Sequence, residues 1–111
     1  MRPLVAIALA VATMPANAGP GLVSANPASH ATLARPPERL RLYFSGPTSI
    51  SGTQIRRSPR AAWPLEPATP ASAAAILLPL PYLMPGNYVV TWQRAGADGH
   101  TVQESTTFNV K

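Results

Sequence analysis

Asp98 and His100 form the one closely spaced carboxylate–imidazole pair in this chain, which has two histidines and four acidic residues in all. Such a pair can hold a metal ion. On an extended segment, side chains at i and i+2 point to the same side. If the intervening Gly99 bends the chain, the geometry changes but the two groups stay close. Two protein ligands alone make a weak site. Asp-Gly between two strands is also among the strongest short-range hairpin signals, and spacing alone favours a turn over a ligand set. The chain has no cysteine, which excludes thiolate metal sites, thiol catalysis and disulfide staples. A hydrolytic triad needs a nucleophile, a base and an orienting acid. Serines are plentiful and His30 and His100 are available, but no nucleophile-elbow motif occurs and the acids are dispersed. The sequence therefore predicts a binding protein and not an enzyme.

The elements that must position the pair are strands. Leu22-Val23-Ser24-Ala25 is a short candidate ended by Asn26-Pro27. Arg39 to Phe44 alternates, with Leu40, Leu42 and Phe44 on one face and Arg39, Arg41 and Tyr43 on the other. That period of two marks a half-buried strand. Pro36-Pro37 and Gly46-Pro47 bracket it as breakers. Ile50 to Arg57 is a weaker strand softened by Gly52. Residues 58 to 75 read as an irregular connection with one short edge strand, Trp63 plugging the space beneath it. Ala75 to Leu78 is a further strand stopped by Pro79 and Pro81. Pro85-Gly86 signals a turn, Pro presetting φ and Gly accepting a positive value. Tyr88, Val90 and Trp92 then share one face of the next strand, and Thr106, Phe108 and Val110 one face of the last. Phe44, Tyr88 and Trp92 are expected in the core. No helical periodicity is sustained after residue 18. Short strands separated by turns, with 14 prolines, predict an all-β sandwich.

The first residues read as an export signal. Arg2 is the positive start, Leu4 to Met14 the apolar core, and Ala16-Asn17-Ala18 the small-x-small cleavage pattern. The apolar run is shorter than the ~20 residues a bilayer crossing needs. Cleavage after Ala18 leaves a single domain, 19–111, with Gly19 at its amino terminus and no membrane span. A domain this small without disulfides depends on packing, or on a bound ion. The formal charge is +5. Its arginines are scattered, apart from Arg56-Arg57 and the alternating Arg39 and Arg41, and read as a solvated basic face. Nucleic-acid binding would need a basic patch with stacking aromatics and is not expected.

Taken together, these motifs resemble the CopC domain, the periplasmic copper-resistance family that includes PcoC. Pro-Ala-x-x-Ala-Thr-Leu-Ala-x-Pro-Pro at Pro27 to Pro37 is similar to the opening of that domain, and Leu40-x-Leu42-x-Phe44-Ser45-x-Pro47 to its next strand. Leu83-x-Pro85-Gly86-x-Tyr88-x-Val90-x-Trp92, Ala97-Asp98-Gly99-His100 and Phe108-x-Val110 resemble its carboxy-terminal half. Residues 52 to 75 match poorly. The resemblance implies an immunoglobulin-like or Greek-key β-sandwich. It implies a copper carrier in the periplasm, serving copper homeostasis or resistance, with a CopD-like inner-membrane protein as partner.

In that family the Cu(II) site joins an amino-terminal His to the Asp and His of the Asp-Gly-His motif. The motif carries over onto Asp98 and His100. The amino-terminal His does not, because this chain has Gly19-Pro20-Gly21-Leu22 there. Some members also carry a methionine-rich Cu(I) site. Met84 alone would remain after processing, so a site of that type is not expected. Imidazole and carboxylate suit Cu(II). The Gly19 amine, with a pKa near ~8, can lose its proton to the metal and add a third ligand. Pro20 blocks amide-nitrogen coordination at the second residue. His30 lies 11 residues from Gly19, up to roughly 36 Å of extended chain. It is expected at the far end, as a solvated loop residue. The alternative is a metal-free sandwich acting as an interaction module on an inner-membrane partner.

Overall fold

The computed structural model describes residues 21–68, 72–96 and 99–111. Its eight strands are β1 (Leu22–Asn26), β2 (Ala31–Leu33), β3 (Arg39–Thr48), β4 (Ile50–Arg57), β5 (Ala62–Pro64), β6 (Ala73–Pro79), β7 (Gly86–Ala95) and β8 (Thr101–Val110). They form two sheets, one ordered β1-β3-β6 and one ordered β2-β8-β7-β4-β5. The predicted all-β sandwich is the fold observed.

Alternation decides what lies between the sheets. Leu40, Leu42 and Phe44 on β3 and Ile76 and Leu78 on β6 face Ile55 on β4, Tyr88, Val90 and Trp92 on β7, and Phe108 and Val110 on β8. All are buried. Fully burying such side chains contributes roughly 1.5–3 kcal/mol each. Phe44 meets Trp92 edge to face at a centroid separation of 6.3 Å, and Tyr88 stacks on Phe108 at 5.6 Å. The Tyr88 hydroxyl donates to the Met84 carbonyl at 2.6 Å, so its polar end is satisfied as burial requires. Trp63 sits on edge strand β5 opposite Ile55 and packs partly buried against the core, the place foreseen for it.

Two local features depart from the sequence reading. In the first, β3 runs through Gly46-Pro47 to Thr48 instead of ending at Phe44. Its pairing with β6 is irregular between Tyr43 and Thr48, so the proline sits where it need not donate to the ladder. β4 keeps its expected bounds and absorbs Gly52 in a similar way. The residue takes φ 58° where the register with β7 shifts between Ser51 and Gln54, which is the signature of a bulge. The second departure is β2, three residues parallel to β8. No local pattern announces it, because its hydrogen-bond partners lie more than 70 residues further along the chain.

β7 and β8 pair along their full length, from Gly86 opposite Val110 to Ala95 opposite Thr101. This hairpin fixes the two ends of the sandwich. Gly96, Gly99 and His100 lie at one end, and the final residues of β8 lie at the other.

Candidate metal site

The loop joining β7 to β8 is closed by its own backbone. The Gly96 N–H donates to the His100 carbonyl at 2.7 Å, and the Gly99 N–H to the Gly96 carbonyl at 3.0 Å. Gly99 takes φ 88° with no atom within 4 Å of where a Cβ would stand. Only a residue without a Cβ adopts that conformation readily. The loop therefore turns at Gly99, and it leaves the His100 side chain exposed. Asp98 and Gly19, the other two predicted ligands, lie outside the described residues. Among the described residues no three His, Asp or Glu side chains come together in a group that could hold a metal ion.

The amino-terminal strand reaches the same end. A Cβ on Gly21 would lie 3.5 Å from Arg94 Nη2 and 3.8 Å from Glu104 Oε2. The Ser45 N–H donates to the Gly21 carbonyl at 3.0 Å. Arg94 stands opposite Val102, one pair below Ala95 and Thr101, from which the 96–100 loop springs. The chain thus passes from Gly21 into β1 beside the base of the loop that carries His100.

Beneath that rim lies an ion pair. Arg94 Nε donates to Glu104 Oε1 at 2.9 Å and Arg94 Nη2 to Glu104 Oε2 at 3.0 Å. Trp92 Nε1 donates to Glu104 Oε1 at 3.1 Å. The Arg94 side chain is 2% exposed and that of Glu104 19%. A planar guanidinium meets a carboxylate with two parallel bonds, the strongest ordinary arrangement for such a pair. Both charges are neutralised internally. The sequence reading missed this pair, although its signal was present. Arg94 shares the face of Tyr88, Val90 and Trp92, and Glu104 that of Thr106, Phe108 and Val110. Two opposite charges in inward phase on adjacent strands of a hairpin must meet each other.

His30 is at the other end. Its backbone N–H donates to the Thr107 carbonyl at 2.7 Å, and its Nδ1 is hydrogen-bonded to Thr107 Oγ1 at 3.1 Å. Thr107 lies six residues along β8 from the start of the strand, roughly 20 Å at ~3.3 Å per residue. His30 does not join His100. It is also not the purely solvated loop residue expected from the sequence. Its φ of 68° is held by the main-chain bond to β8.

The CopC domain family matches residues 22–111, which span both sheets, the Asp-Gly-His loop and the rim beneath it. The chain belongs to that family. Among solved structures it is similar to CopC from Methylosinus trichosporium OB3b, with 26% identity and a TM-score of 0.69 over 83% of this chain and 93% of that one. It is also similar to PcoC, a methionine rich copper resistance protein from Escherichia coli, with 25% identity and a TM-score of 0.65 over 85% of this chain and all of that one. No curated protein matches. In contrast to the methionine-rich PcoC, this CopC domain has Met84 as its one methionine among the described residues. Met84 is exposed, and its carbonyl is engaged with Tyr88. Among the described residues no helix is long and apolar enough to cross a membrane.

Proposed function

We propose that this CopC-domain protein is a periplasmic copper-resistance protein that carries or buffers Cu(II) and performs no catalysis. Copper is its cargo. The ligands in this reading are the His100 imidazole, the Asp98 carboxylate and the amine of Gly19 freed by cleavage of the 1–18 signal. The destination is a CopD-like inner-membrane protein. The observation that carries the proposal is the exposed His100 on a self-closed loop at the end where the amino-terminal strand begins. Gly21 already lies against Arg94 and Glu104 at the base of that loop, so two further residues can bring an amine to it. The imidazole can reach a metal without any rearrangement of the core.

A second reading, a metal-free interaction module, has one observation in its favour. The ion pair under the rim is neutral by itself and needs no metal to compensate it. The family's amino-terminal His is replaced by Gly19, which removes an imidazole from the ligand set.

Electron paramagnetic resonance of the exported, processed protein with one equivalent of Cu(II) separates the two. The carrier reading requires nitrogen hyperfine coupling that His100→Ala removes, together with a large loss of affinity. A spectrum identical to aqueous copper, or an unchanged spectrum in His100→Ala, rejects the assigned ligands and leaves the metal-free module.

A further inference from the structure

At the end of the sandwich away from His100, three arginines line one open groove of about 560 Å³. Arg35 comes from the link between β2 and β3, and Arg39 and Arg41 from the outward face of β3. Leu33, Pro36 and Pro37 supply apolar walls. All three arginines are exposed. Among the described residues none of them is ion-paired; the one salt bridge joins Arg94 to Glu104 at the other end. Of the described acidic residues, none lines the groove. An unpaired guanidinium cluster of this kind repels metal cations and matches carboxylates, which each fork can take with two hydrogen bonds.

The groove continues. Arg41 also borders a shallow apolar concavity of about 270 Å³ shared with Tyr43, Ala75, Ile76 and Leu77 on the outer face of the three-stranded sheet. Along β3 the outward side chains thus run Arg39, Arg41, Tyr43, two positive charges and then an aromatic ring on the apolar shelf. They repeat every second residue, about 6.6 Å apart. An extended peptide presents its own alternate side chains at the same interval.

We propose that this face is a docking surface for an extended acidic segment of a partner protein. Acidic side chains at alternate positions sit over Arg39 and Arg41, and an apolar side chain two residues further on rests against Tyr43 and Leu77. Arg35 closes the groove over the acidic part. The walls make the site concave, so a flat anionic bilayer reaches the guanidiniums less well than a single strand does. Because His100 lies at the opposite end, a bound segment leaves the metal rim uncovered. The proposal stands on these residues whether or not the domain binds copper.

The test is fluorescence anisotropy at low salt with the processed protein and a labelled probe peptide, Gly-Glu-Ser-Glu-Ser-Leu-Gly. The expected result is saturable binding that rising salt weakens. Binding should fall about tenfold or more in Arg39→Glu/Arg41→Glu, since each reversal exchanges an attraction for a repulsion. Arg56→Glu, an exposed reversal on β4 of the other sheet, should change it far less. A probe with adjacent glutamates, Gly-Glu-Glu-Ser-Ser-Leu-Gly, should bind more weakly than the alternating one. Arg35→Glu, outside any strand, gives the same directional result if the double variant fails to fold, as thermal melting would show. Absence of binding overturns the proposal. So does an equal loss in Arg56→Glu, which would mean that net charge alone is sensed. Co-sedimentation with phosphatidylglycerol vesicles that is lost in the double variant, without peptide binding, would assign the face to lipid and overturn it as well.

Discussion

The two ends of the sandwich handle charge in opposite ways. At the His100 end, Arg94 and Glu104 are withdrawn beneath the rim, matched to each other and shielded by Trp92 and the start of β1. At the other end, Arg35, Arg39 and Arg41 stand in solvent without an acidic partner among the described residues. The difference follows from strand phase. Arg94 and Glu104 occupy inward positions, where an unpaired charge is very costly. Arg39 and Arg41 occupy outward positions of β3, where water solvates the charge and no partner is required. The first pair is therefore committed to structure, whereas the second group remains available to a ligand. One end is built to present His100 on a rigid base and the other to present positive charge.

Breaking the inward pair should have the largest effect. Glu104→Gln leaves the Arg94 charge buried without its counter-ion and is expected to lower unfolding free energy by about 3 kcal/mol, read by urea denaturation. Replacing both partners, Arg94→Met with Glu104→Leu, should recover most of that loss, because the cost comes from the orphaned charge and not from the absence of the pair. A copper-bound rim should sharpen the contrast next. If Cu(II) binds only the folded protein, free copper at about 100 times Kd stabilises it by about 2.7 kcal/mol. The rise in Tm should vanish in His100→Ala and persist in Arg39→Glu/Arg41→Glu. A smaller effect is expected at His30. His30→Ala forfeits the Thr107 hydroxyl contact and should reduce stability by about 0.5 kcal/mol, with copper binding unchanged; a loss of copper affinity there would contradict the separation of the ends. The smallest belongs to the outward arginines. Arg39→Glu/Arg41→Glu should leave unfolding free energy within about 0.5 kcal/mol of the parent protein, as exposed substitutions commonly do.

Much of the scaffold was legible because alternation carries it. The faces of β3, β7 and β8 follow from Leu40, Leu42 and Phe44, from Tyr88, Val90 and Trp92, and from Thr106, Phe108 and Val110, with no knowledge of partners. β4 came out with the predicted bounds despite Gly52, since a bulge absorbs the glycine without ending the strand. Gly46-Pro47 misled because a proline is tolerated where the ladder is already irregular. β2 escaped altogether, since its three residues gain their hydrogen bonds only from β8. Of the candidate site, the Asp-Gly-His motif was plain in the sequence, and so was the likelihood that its backbone forms a turn. The ion pair beneath it was not read, although inward phase at both Arg94 and Glu104 encoded it.

The order of residues by itself determined which side chains face inward and where the hairpin loop with His100 falls. Those properties depend on local periodicity and on turn chemistry at glycine, both of which act over a few neighbours. The tertiary structure decided which distant segments meet. It set Gly21 against Arg94 and Glu104, tied His30 to Thr107 at the opposite end, and brought Asn26 and Pro27 beside Arg39 and Arg41. Those juxtapositions arise from the pairing of strands far apart in the chain and from the packing of two sheets over one core, and no local pattern specifies them.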